Sequence, residues 1–211
     1  MKNIKGLILT EALVALSLLA TAALILGSMV NSAAGGTRIS KNYLIAQNLA
    51  TEAIEGVKNV RDTNWLVRPD VKDAWLQLDP SIEGEESERA EDTFSYIVSQ
   101  EEGQWKMFLQ IIDLDINGQI NLMSPFRLCK EVFKTETIGD DDLKFEKYVQ
   151  TGEECDAGLE SDFYRSATFG EFVFIDADLI EDAVTVYVKV QWLEGAKVRT
   201  IERSTTLYNS I

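Results

Sequence analysis

The chain has 211 residues, with 35 Asp and Glu against 20 Lys and Arg, no His, and a formal charge of −15. So acidic a composition repels phosphate backbones, which disfavours direct nucleic-acid binding, and the absence of His removes the commonest general base and metal ligand. No Gly-rich phosphate loop or nucleophile elbow occurs either, so neither enzymatic activity nor a cofactor is expected.

The first element is a run of 24 residues, Leu7 to Val30, in which Glu11 is the only charge. As a helix at 1.5 Å per residue it would be roughly 36 Å long, enough for a hydrocarbon core of about 30 Å. An acid within such a span costs on the order of 2.5 to 3.5 kcal/mol and calls for a cationic partner. Cleavage after Gly6 would supply one, because the new α-amino group on Leu7 stands about one helical turn from Glu11. That amine can meet its own Glu11 or, in a packed bundle of such helices, the Glu11 of a neighbour. Lys2 and Lys5 precede the run and favour a cytoplasmic N-terminus, so the chain after Val30 is expected across the membrane.

The segment Lys5-Gly6-Leu7-Ile8-Leu9-Thr10-Glu11 resembles the N-terminus of type IV pilins and of the pseudopilins of type II secretion. Ile45-Ala46-Gln47-Asn48-Leu49-Ala50-Thr51-Glu52-Ala53-Ile54-Glu55 is similar to the second half of the long helix in minor pilins and minor pseudopilins. Together the two segments fall in the first third of the chain. The resemblance implies processing by prepilin peptidase between Gly6 and Leu7, methylation of the new N-terminus, and assembly through Glu11. It also implies other pilin or pseudopilin subunits as partners, and a single-pass inner-membrane location followed by entry into a pilus or pseudopilus. Leu7 stands where Phe or Met is commoner, which bears on methylation more than on cleavage.

Two plainer readings compete. Residues 1–34 can be read as a secretory signal peptide, with Lys2 and Lys5 as the basic region and Ser32-Ala33-Ala34 as the cleavage site. An acid at the head of the apolar region is unusual there, and the run exceeds the usual 7 to 15 or so residues. Alternatively the run is a simple anchor, with Glu11 hydrated near the headgroups. Neither accounts for the separation of Gly6 and Glu11.

Beyond Val30 the helical repeat continues through Ile39, Tyr43, Ala46, Ala50, Ala53, Val57 and Val60, and no Pro occurs before Pro69. One helix is therefore expected from Leu7 to about Asn64, with weak points at Gly27-Ser28 and Gly35-Gly36, where each glycine costs about 1 kcal/mol. After Trp65 the pattern becomes strand-like. Thr93 to Val98 and Trp105 to Leu114 are rich in aromatic and branched residues, and Asn117-Gly118 reads as a hairpin turn. Val184, Val186, Val188, Val190 and Trp192 alternate with Thr185, Tyr187, Lys189 and Gln191, as in a strand with one buried face. A turn at Glu194-Gly195 leads into a return strand from Lys197 to Leu207 whose imperfect alternation suggests a bulge. Ile82 to Asp92 reads as a loop. The expected fold class is α+β and pilin-like, with a long helix packed on an antiparallel sheet. The divisions are a leader at 1–6, a membrane or filament-core helix at 7–30, its amphipathic continuation at 31–64, and a β-sheet domain at 65–211.

Cys129 and Cys155 are the only cysteines, and the inferred topology puts both where disulfides persist. Pairing is expected, against the alternative of two separate buried thiols. Many pilins carry a disulfide-closed loop nearer the C-terminus, so the resemblance assigns this pair no role. Asp113-x-Asp115-x-Asn117-Gly118 matches the first half of a calcium loop, but Ser124 stands where a bidentate Glu is needed, so a turn is expected and no metal site. The acidic clusters between Glu83 and Asp92 and between Glu136 and Asp162 read as solvated loops. The cations Arg38, Lys41, Lys58, Arg61, Arg68 and Lys72, which follow the apolar run, suit lipid headgroups or acidic faces of neighbouring subunits. Two functions follow: a non-enzymatic minor pilin or pseudopilin, or a membrane-anchored surface module that binds calcium or an adhesion target without assembling.

Overall fold

Helix α1 runs from Ile4 to Val67, 64 residues without a break, in a computed structural model that describes residues 4–69, 71, 74–79, 88, 90–91, 94–101, 103–110, 127–134, 144–150, 155–156, 159–173 and 183–209. It stays helical through Gly27, Gly35 and Gly36, the weak points of its sequence, and no other group lies within 4 Å of where their Cβ atoms would stand. It ends where Pro69 biases Arg68 away from helical angles, and the Arg68 amide makes the last bond, to the Asn64 carbonyl at 2.9 Å. The chain divides into two compact units, Met1–Leu44 and Ile45–Ile211.

In the second unit the helix carries its apolar stripe on Ala46, Leu49, Ala50, Ala53, Ile54, Val57 and Val60, all buried. Ile39 and Tyr43, where the repeat begins, lie in the same helix with their side chains about half exposed, at 46% and 47%. A short 3-10 turn, Ala74–Leu76, follows. Seven antiparallel strands then form one sheet: β1 (Ser95–Glu101), β2 (Gln104–Gln110), β3 (Arg127–Lys134), β4 (Lys144–Val149), β5 (Glu160–Val173), β6 (Ala183–Glu194) and β7 (Lys197–Tyr208). The α+β layout is thus as expected.

β5 is the hub. Its residues Phe163–Val173 pair with β6 along one edge, and the other edge is shared, with β3 beside Glu160 and Tyr164 and β1 beside Ala167 and Thr168. β2 and β4 extend the sheet from β1 and β3. β6 and β7 pair without a slip from Ala183↔Tyr208 to Glu194↔Lys197, closed by Gly195 at φ +62°, a backbone angle that favours glycine. The bulge expected in the return strand is therefore absent from this pair. Register shifts lie instead in the β5–β6 pair, between Phe169 and Phe172, and in the β3–β5 pair, between Arg127 and Cys129.

Val184, Val186, Val188, Val190 and Trp192 all face the core, as their alternation requires. They meet the helix stripe together with Tyr96, Val98, Met107 and Leu207. Small residues on the helix allow a close approach, most tightly at Gly56: a Cβ there would stand 2.6 Å from Trp105 Cε3 and 2.8 Å from Val98 Cγ1. Ile97, Tyr164, Ser166 and Gln191, on the other face of the central strands, are buried too. Within Ile82 to Asp92, Ala90 is buried and its amide donates to the Leu76 carbonyl at 2.9 Å, so this end of the expected loop is held against the 3-10 turn. Ile111 to Leu114, the Asn117-Gly118 turn and the Asp113 to Asn117 motif lie outside the described residues.

Candidate functional site

Gly6 and Leu7 lie in the first turns of α1, and Glu11 follows about one turn beyond Leu7. The side chains are described from Thr10 onward. Every residue from Thr10 to Lys41 is exposed, Glu11 among them. Ten large apolar side chains between Leu13 and Val30 are each 58% to 75% exposed. They sit on all sides of the helix, since Leu13, Leu16, Leu18, Leu19, Leu24 and Ile25 cover the full turn of a 3.6-residue repeat. A helix that is apolar all round belongs in a protein core or a membrane. At about 1.5 to 3 kcal/mol per large apolar side chain, leaving ten in water forgoes on the order of 20 kcal/mol. The helix is long and apolar enough to cross a membrane.

Its polar side chains fit an apolar medium as well. Ser17 Oγ donates to the Val14 carbonyl at 2.8 Å, Thr21 Oγ1 to Leu18 at 2.9 Å, Ser28 Oγ to Ile25 at 2.8 Å and Thr37 Oγ1 to Ala33 at 3.0 Å. Each hydroxyl is satisfied by the preceding turn, so burying it in hydrocarbon strands no donor. The Glu11 carboxylate has no proton to donate to a carbonyl in this way, and among the described residues it makes no ion pair. It is the one charge in the apolar segment that its own folded chain leaves exposed.

Cys129 and Cys155 form a disulfide with a Cα separation of 5.4 Å and a sequence separation of 26. The bond joins β3 to the segment beyond β4. Among the described residues, no three or more His, Cys, Asp or Glu side chains gather as a metal site.

A polar centre that the sequence reading missed lies beneath the helix. Arg165 of β5 is 2% exposed. Its Nη2 donates to the Val98 carbonyl at 2.8 Å, its Nη1 to the Leu49 carbonyl at 3.2 Å, and its Nε to Gln150 Oε1 at 3.2 Å. Gln150 Nε2 returns a bond to the Arg165 carbonyl at 2.6 Å, and Glu52 Oε1 lies 3.6 Å from Nη1. One guanidinium therefore joins α1, β1, β5 and the end of β4. Burial pushes its pKa below the ordinary value of arginine, and the Glu52 carboxylate opposes that shift. The signal was an Arg on the inward side of the alternation Phe163, Arg165, Ala167, Phe169.

No protein-family model, no curated protein and no solved structure matches the chain. Its likeness to pilins is one of architecture: a long N-terminal apolar helix whose second half packs on an antiparallel sheet.

Proposed function

We propose that the chain is a non-enzymatic subunit, a minor pilin or pseudopilin, of a type IV pilus or type II secretion-like filament. Prepilin peptidase cuts between Gly6 and Leu7, the apolar helix holds the product in the inner membrane with the sheet domain outside, and the same helix then packs against those of other subunits. Glu11 is neutralised there by the Leu7 amine of a neighbour. The observation that carries the reading is the exposed, all-round apolar surface from Leu13 to Val30, preceded by one carboxylate at the fifth position of the expected product. The large size of the part after Trp65 favours a minor over a major subunit.

Intact-mass measurement and N-terminal sequencing of the native protein test it. The expected mature chain begins at Leu7. A start near Gly35 would establish a secretory peptide instead, and an uncut chain that co-purifies with no filament would establish the anchored binding module.

A further inference from the structure

Between Glu11 and Arg38 the helix carries no charge, and charge then returns as a pair. Arg38 and Lys41 stand three residues apart, are both exposed, and share one face of the helix. Neither has an acid within reach on its own helix. Arg38 has Ala34, Gly35 and Asn42 three or four residues away, Lys41 has Thr37, Leu44 and Ile45, and the next acid along the helix is Glu52. Neither makes an ion pair elsewhere among the described residues. Like charges at this spacing repel by a few tenths of a kcal/mol, so an anion between them is favoured.

Helix length says which anion. From Leu7 to Arg38 is 31 residues, about 47 Å at 1.5 Å per residue, against about 40 to 45 Å for a bilayer including its headgroups. A tilt of roughly 25°, well inside the range of membrane helices, puts the Leu7 end at one headgroup layer and the two cations at the other. Both side chains have apolar stems that can lie along the helix while the charged tips reach the interface. Tyr43, 47% exposed just beyond them, supplies the amphipathic ring that favours this depth. A guanidinium fork also suits phosphate oxygens better than a point charge does.

We propose that Arg38 and Lys41 clamp lipid headgroup phosphate of the outer leaflet, and so set the depth and tilt of the helix in the membrane. This rests on the membrane-spanning reading given under Proposed function.

The test uses the full chain, labelled with 13C in Arg, Lys and Leu, in phosphatidylcholine and phosphatidylglycerol vesicles in phosphate-free buffer, where the only phosphorus is lipid. Dipolar dephasing of 13C by 31P is expected at an Arg Cζ and a Lys Cε, and is lost from the first in Arg38→Gln and from the second in Lys41→Gln. Contacts from leucine methyls to lipid acyl protons report the span independently. If those contacts are present while neither substitution removes any dephasing, the clamp is wrong and the span stands. If the leucine contacts are missing, the spanning reading fails and the clamp falls with it.

Discussion

Arg165→Met keeps much of the side chain's apolar bulk and removes only the guanidinium, so it isolates what that group does. The Val98 carbonyl and Gln150 Oε1, bonded at 2.8 and 3.2 Å, lose their donor in a buried site. The Leu49 carbonyl lies inside α1 and retains its helical partner, and Glu52, 39% exposed, returns to water at little cost. Stranding a buried acceptor costs about 1 to 3 kcal/mol, so two give about 2 to 6 kcal/mol, less what is recovered by no longer desolvating a cation. We expect a net loss of about 3 kcal/mol, which for a domain of this size lowers Tm by roughly 6 to 12 °C. Thermal unfolding of the full chain in detergent micelles, read by the fluorescence of the buried Trp75 and Trp192, measures it. Adding Gln150→Leu should recover about 1 to 2 kcal/mol, because it removes one stranded acceptor. A single variant within about 1 kcal/mol of the parent, against the 3 to 5 kcal/mol usual for breaking a buried ionic contact, would refute the reasoning.

The same centre gives a sign for pH dependence. The folded pKa of Arg165 lies below its ordinary value, so above the folded value the unfolded chain binds more protons, and unfolding free energy rises with pH. This contribution is fully present above the unfolded pKa and lost as pH falls through the folded one. The stability gap between parent and Arg165→Met should therefore widen only where pH rises through the folded pKa of Arg165, and stay level below it.

Gly56→Ala should cost about 1 to 2 kcal/mol, because overpacking against Trp105 and Val98 outweighs the roughly 1 kcal/mol gained in helix propensity, and denaturant unfolding of the same preparation checks it. Reducing the Cys129–Cys155 bond should lower stability by about 3 kcal/mol from loop closure alone; two thiols that label in the denatured, unreduced chain would show that the bond is not formed. Glu11→Ala should leave membrane insertion intact and abolish co-purification with filaments, since it lowers the insertion cost while deleting the partner of a neighbour's amine.

The parts of the fold legible in sequence are those with a one-sided environment. β6 alternates cleanly because its outer residues Thr185, Tyr187 and Lys189 reach solvent while its valines do not. The second half of α1 is legible for the same reason. β5 was missed because it is buried on both faces: Tyr164 and Ser166 are as hidden as Phe163 and Ala167, so no alternation of hydropathy marks it. β3 and β4, rich in Lys and Glu, carry no apolar rhythm either. The bulge was misplaced because polarity along Lys197–Tyr208 reflects an edge strand, where broken alternation costs nothing, rather than a break in register.

The candidate site divides along a different line. Gly6, Leu7 and Glu11 are legible because their chemistry is local: one peptide bond, one amine and one carboxylate within about a helical turn. The Arg38 and Lys41 pair is legible as a pattern for the same reason, since its neighbours on the helix are fixed by spacing alone. Arg165 is the opposite case. Its acceptors come from Leu49, Val98 and Gln150, positions up to 116 residues away, and two of them are backbone carbonyls, which every residue has. No residue type at any spacing can announce such a centre. What the sequence does hold is an anomaly, a charged side chain at an inward position between Phe163 and Phe169, and an inward charge in a strand requires partners of its own. That requirement ties the helix to the sheet: the Leu49 carbonyl and the Glu52 carboxylate are both on α1, so lifting the helix from the sheet would leave a desolvated cation without half of its partners. The polar centre therefore acts with the close approach at Gly56 to select one docking of the helix on the sheet.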